Sequence, residues 1–83
     1  MIPKNIKMEH VIKAIQKIDS NGYPDSAKPK KYYIEFDGKF YPAKHTLALS
    51  NVFANYYLLD HTKFGGGDQT NDFLTKLGFK IVE

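Results

Sequence analysis

Three groups of residues in this chain have types and spacings that could do chemistry. The first is a run of cations interleaved with rings: Lys28, Lys30, Lys31, Tyr32 and Tyr33, then Lys39 and Tyr41, then Lys44 and His45. Ammonium groups track phosphates while rings stack on bases or line a groove, so the pattern fits a nucleic-acid surface. The same residues would also fit a solvated sheet face over ordinary core tyrosines. All 12 cations are Lys and none is Arg, so any phosphate contact is a point-charge contact and not a bidentate fork.

The second group is Gly65-Gly66-Gly67, followed by Asp68-Gln69-Thr70-Asn71. Glycine-rich backbone entering a helix start can turn free N–H groups toward an anion, and the helix dipole adds to the pull. No Lys-Ser/Thr follows the glycines, and no strand precedes them in a βαβ unit, so neither phosphate-loop fingerprint is present. Asp68 would compete with a bound phosphate, and a tight turn explains the glycines as well.

The third group is Pro24-Asp25 with Asp37-Gly38-Lys39, the outline of a metal-dependent nuclease motif in which two carboxylates hold a divalent cation. That chemistry needs acid and lysine at i and i+2 on one strand, whereas Asp37-Gly38 reads better as a hairpin tip. His10, His45 and His61 have no His or Cys partner at ligand spacing. His45 stands out, because a basic cluster of Lys44 and Lys39 would depress its pKa. Ser20, Ser26 and Ser50 lack the glycines of a nucleophile elbow.

These residues need elements to position them. Met8, Val11, Ile12, Ile15 and Ile18 recur at helical spacing, which predicts a first helix over 7–19 stopped by Ser20-Asn21-Gly22 and Pro24. Residues 21–30 read as a loop. The runs 31–36 and 39–41 around Asp37-Gly38 predict a two-residue hairpin pairing Phe36 with Lys39, Glu35 with Phe40 and Ile34 with Tyr41. Pro42 suits a helix start, and Ala43, Leu47, Leu49, Val52, Phe53, Tyr56 and Tyr57 form the expected core face of a second helix over 43–58. Asp68 or Thr70 caps a short third helix with Phe73, Leu74 and Leu77 inward, and Gly78 closes it. Phe79, Ile81 and Val82 suit a final strand that joins the hairpin. The expected fold is a single small α+β domain over 1–83, of order α-β-β-α-α-β, with a three-stranded antiparallel sheet packed with helices.

Composition narrows the function classes. At 83 residues with no cysteine, the chain excludes a disulfide framework, a thiolate zinc site and a cysteine nucleophile. With neither a membrane span nor a signal-peptide core in the sequence, a cytoplasmic protein is expected. The net charge of +3 divides unevenly, at +4 through His45 and −1 thereafter. The basic excess thus coincides with the lysine and tyrosine run.

Taken in order, Glu9-His10-Val11-Ile12, Ala14-Ile15, Ile18-Asp19, Tyr32, Ile34, Asp37-Gly38-Lys39, Tyr41-Pro42-Ala43-Lys44, Phe64-Gly65-Gly66, Asn71, Phe73-Leu74 and Leu77-Gly78-Phe79 resemble one known family. It is the N-terminal head domain of McrA-like, modification-dependent HNH restriction endonucleases, and the similarity spans nearly the whole chain. In such proteins the module precedes domains that read modified DNA and cut it. The resemblance implies an accessory targeting module without catalytic residues of its own.

The resulting expectation is a non-catalytic DNA-binding or targeting module needing no cofactor or metal. DNA is the expected partner, with a nuclease domain or subunit as a further one. The candidate DNA-binding residues are Lys30, Lys31, Tyr32, Lys39, Tyr41, Lys44, His45, Gly65, Gly66 and Gly67, gathered on one electropositive ledge. The competing expectation is a protein-interaction module that docks a nuclease or other defence subunit through Tyr56, Tyr57, Leu58 and Leu59.

Overall fold

The computed structural model describes residues 2–29, 31–65 and 67–83. Its elements run α1 (Met8–Asn21), a short 3-10 turn (Asp25–Ala27), β1 (Tyr33–Phe36), β2 (Lys39–Pro42), α2 (Ala43–Asn55), α3 (Asp68–Lys76) and β3 (Lys80–Val82). The order α-β-β-α-α-β and the three-stranded antiparallel sheet agree with the sequence reading.

The hairpin forms because Asp37 and Gly38 both adopt positive φ, 55° and 79°, the geometry of the tight turn whose twist matches the flanking strands. Its register is the expected one, with Phe36 opposite Lys39 and Ile34 opposite Tyr41. β1 is the central strand, and β3 pairs along its other edge with Ile81 opposite Ile34. Alternation therefore aligns Tyr41, Ile34 and Ile81 across one face, which the helices cover; Ile34 and Tyr41 are buried and Ile81 is partly buried. Phe40, Glu35 and Lys80 occupy the opposite face, where Lys80 Nζ lies 3.7 Å from Glu35 Oε2.

α1 buries Val11, Ala14, Ile15 and Ile18 and packs along α2. Met8, expected on that face, is largely exposed, with its terminal methyl against Gly78. A Cβ at Gly78 would come within 3.0 Å of that methyl, and its φ of +105° also favours glycine. Gly78 donates to the Thr75 carbonyl and Phe79 to that of Leu74, the two bonds that close a helix through a left-handed glycine and deliver the chain into β3.

α2 departs from expectation. It ends at Asn55 rather than near residue 58, and Tyr56 takes the left-handed cap conformation with φ 71°. Its buried side is Ala43, Thr46, Leu47, Ala48, Ser50 and Asn51, while Tyr56 and Tyr57 are 88% and 56% exposed. Small and polar residues occupy this side, where α1 packs; hydrogen bonds satisfy Ser50 and Asn51, while the buried Thr46 hydroxyl has no partner among the described residues. Ser50 Oγ donates to the Thr46 carbonyl, and Asn51 Nδ2 donates to the Tyr57 carbonyl at 2.8 Å. Asn55 Nδ2 donates to Asn51 Oδ1 and to Asn5 Oδ1, and Asn5 Nδ2 donates back to Asn55 Oδ1. This chain of three asparagines fastens the segment before α1 to the end of α2.

Candidate nucleic-acid interface

A cleft of about 410 Å³ lies where the starts of α2 and α3 meet the segment leading into β1. Four parts of the chain build its walls. The 3-10 turn and the residues after it contribute Ser26, Ala27 and Lys28, and the approach to β1 contributes Lys31 and Tyr32. The first turn of α2 brings Lys44 and His45, its entry fixed by the Ala43 N–H donating to the Tyr32 carbonyl at 3.3 Å. α3 adds Gly67, Thr70 and Asn71 at its N-terminal end.

His61 completes the wall beside His45, their ring centroids 6.0 Å apart. A local turn puts it there. Asp60 Oδ1 accepts from the Thr62 N–H and hydroxyl, and the Lys63 N–H donates to the Asp60 carbonyl. Buried Leu59 and Phe64 anchor the chain on either side of that turn, and the Leu59 N–H reaches the Ala48 carbonyl. The aromatic contacts continue from His61 to Phe64 and from His45 to Tyr23.

No acidic residue lines this cleft among the described residues. Lys44 Nζ stands 5.1 Å from the centre of the Phe64 ring, and Lys31 Nζ 5.3 Å from that of Tyr32. Tyr32 first, and then the Glu83 carboxylate 3.5 Å away, push the Lys31 pKa up. Burial first, and the neighbouring His61 second, push the His45 pKa down. The direction is the one a lysine cluster would impose, but the cause is desolvation and a second imidazole.

The expected single ledge is divided. Lys31, Tyr32, Lys44, His45 and Gly67 line the cleft, with Lys28 and His61 added. Lys39 and Tyr41 lie elsewhere, in a smaller hollow of about 250 Å³ that also contains Asp19 and Asp37. Lys39 Nζ is 3.4 Å from Asp19 Oδ1, and the buried Tyr41 hydroxyl donates to the same oxygen at 3.0 Å. Burial and then Asp19 raise the Tyr41 pKa, so this phenol is a structural donor. The reason is geometric: β2 carries the chain about 10 Å from the hairpin tip, where Lys39 sits, to the base, where Lys44 follows.

The glycine loop divides as well. The Gly65 N–H donates to Gln69 Oε1 at 2.7 Å and its carbonyl accepts from the Thr70 hydroxyl, so α3 itself occupies the Gly65 peptide groups. Gly67 caps α3 and borders the cleft. Lys30 and Gly66, both among the candidate residues, lie outside the described residues. Asp25, in the 3-10 turn, and Asp37, at the hairpin tip, line different parts of the molecule, and no group of three or more metal-ligating side chains occurs among the described residues.

Fold and cleft together define a small α+β module with a basic concavity at the base of its hairpin, lined by no acidic residue among the described ones. The chain belongs to the family described as the ScoMcrA-like N-terminal head domain, which matches residues 4–83. That membership associates it with restriction-type defence proteins. Neither a curated protein nor a solved structure matches the chain. No helix among the described residues is long and apolar enough to cross a membrane.

Proposed function

We propose that this head domain is a non-catalytic DNA-targeting module of a restriction-type defence protein, and that it holds DNA phosphates on the rim of the cleft. One observation carries the reading: Lys28 and Lys31, from the segment leading into β1, and Lys44, from the first turn of α2, meet at one concavity with no acidic lining among the described residues. Three cations converging on this lining, of which, among the described residues, Lys31 alone faces a carboxylate, that of Glu83 at 3.5 Å, make a local positive potential that a polyanion neutralises by releasing its counterions. The first turn of α2 adds its dipole on the same side.

The test is duplex DNA binding at low salt, by fluorescence anisotropy, with the Lys28→Ala/Lys31→Ala/Lys44→Ala triple variant and with Lys39→Ala as control. The triple variant loses binding and Lys39→Ala retains it. Absence of binding by the unmodified chain at low salt refutes the reading. Incubation of DNA with divalent cations yields no cleavage; cleavage lost in Asp25→Ala and Asp37→Ala would establish the nuclease alternative.

A second reading, docking of a nuclease domain or subunit, is favoured by the consecutive exposed Tyr56, Tyr57 and Leu58 just beyond α2. It predicts that Tyr57→Ala weakens partner capture while Lys44→Ala leaves it intact.

A further inference from the structure

We propose that the cleft is a pocket for a single nucleoside phosphate, with the phosphate at Lys31 and Lys44 and an amine-bearing base reaching Asn71. The inference rests on the DNA-targeting reading and specifies what enters the site. Its first support is shape. The cylindrical surface of a duplex lies across a rim, whereas a concavity of about 410 Å³ falls in the roughly 300–1,000 Å³ range of small-ligand clefts. One nucleotide unit therefore enters where a helix cannot.

The second support is the division of chemistry within the cleft. A cation stands at its mouth: the Lys31 side chain, ion-paired with Glu83, is 59% exposed, while Lys44 is half-buried. Flat rings form its wall, where His45 and His61 sit side by side with an interplanar angle of 51°. Rings beside cations accommodate a base and its phosphate together.

The third support is Asn71. Its side-chain oxygen is buried and has no hydrogen-bond donor among the described residues, although Asn71 borders the cleft. A buried acceptor without a donor is costly; turning the Asn71 amide so that this oxygen faces the cleft lets an exocyclic amine supply the missing donor. Adenine and cytosine carry such an amine and thymine does not, so the pocket discriminates against thymine.

The probes are dAMP, dTMP, inorganic phosphate and a single-stranded oligo-dA, followed by NMR shifts of the His45 and His61 ring protons. The expected result is saturable shifts with dAMP, weaker ones with phosphate, and affinity for dTMP lower by roughly five-fold. Asn71→Ala removes the difference between dAMP and dTMP, and Lys44→Ala, a change in the cleft lining that leaves the core intact, weakens both. Saturation by dAMP points to a free nucleotide, and saturation by oligo-dA alone points to a nucleotide presented by a strand; either supports the pocket. Salt-sensitive duplex binding with no imidazole shift from dAMP or oligo-dA overturns the pocket and leaves DNA targeting standing. Equal dAMP and dTMP affinities, unchanged by Asn71→Ala, also overturn it. Failure of every nucleic-acid probe, duplex included, removes both readings.

Discussion

The sharpest consequence of the cleft is a number of ions. If Lys28, Lys31 and Lys44 each neutralise one phosphate, the logarithm of the DNA association constant falls with the logarithm of salt concentration at a slope of about −2.7. Between about 50 mM and about 200 mM salt this amounts to roughly a 40-fold loss of affinity. Lys44→Ala removes one contact, so the slope relaxes to about −1.8 and the loss over the same range shrinks to roughly 12-fold. Lys39→Ala removes the same formal charge from the chain but leaves the slope at about −2.7, because that ammonium lies in the other hollow and faces Asp19. Glu83→Gln acts in the opposite direction. It frees Lys31 from its partner 3.5 Å away and strengthens binding at low salt. Anisotropy titrations at four salt concentrations, on a labelled duplex, measure all four slopes. Equal reductions by Lys44→Ala and Lys39→Ala would mean that net charge alone governs binding, and the convergence argument would fail.

Tyr41→Phe removes a hydrogen bond to an acceptor that water partly reaches, which costs about 1 kcal/mol, or roughly 4–8 °C in melting temperature for a domain of this size, with DNA affinity unchanged. Asn51→Ala deprives the Tyr57 carbonyl of its donor and Asn55 of one of its two acceptors, and denaturant unfolding should show a loss of about 1–3 kcal/mol. His45 resists protonation in the fold, so as pH falls below its ordinary value of 6.5 the unfolded chain takes up the proton first. Stability therefore drops over the interval below 6.5, levels once the folded imidazole also titrates, and is insensitive to this group above neutrality. Melting curves from pH 7.5 to pH 5, compared with those of His45→Gln, check this: the variant loses that part of the slope.

The hairpin was legible because Asp37-Gly38 dictates a turn from two residues alone, and the register follows from the turn. Leu74, buried in the last turn of α3, was legible from its helical spacing, and the glycine that ends that helix from its place just beyond it. The buried side of α2 was not. Ser50 and Asn51 were not among the expected core positions, since the groups that satisfy Asn51 come from Asn55 and the Tyr57 carbonyl, and Asn5 joins the same chain from near the other end of the sequence. Counting apolar residues instead placed Tyr56 and Tyr57 inside. Within the cleft, the lysines before β1 and at the start of α2 were found as a charge pattern, because the hairpin returns the chain to its own base. His61 was missed as a member, although the Asp60-x-Thr62 turn that orients it is a recognisable local signal. Lys39 and Tyr41 were placed with the cleft because proximity in sequence was taken for proximity in space along an extended strand.

The central position of β1 also governs the order of assembly during synthesis. Tyr33–Phe36 can close on β2 as soon as the hairpin is made, but its other edge pairs with Lys80–Val82, more than forty residues later. A nascent chain thus holds a half-zipped ribbon, its free edge open to neighbours, until residue 82 has cleared the ribosome. The native three-stranded sheet therefore cannot be complete before Lys80–Val82 is available.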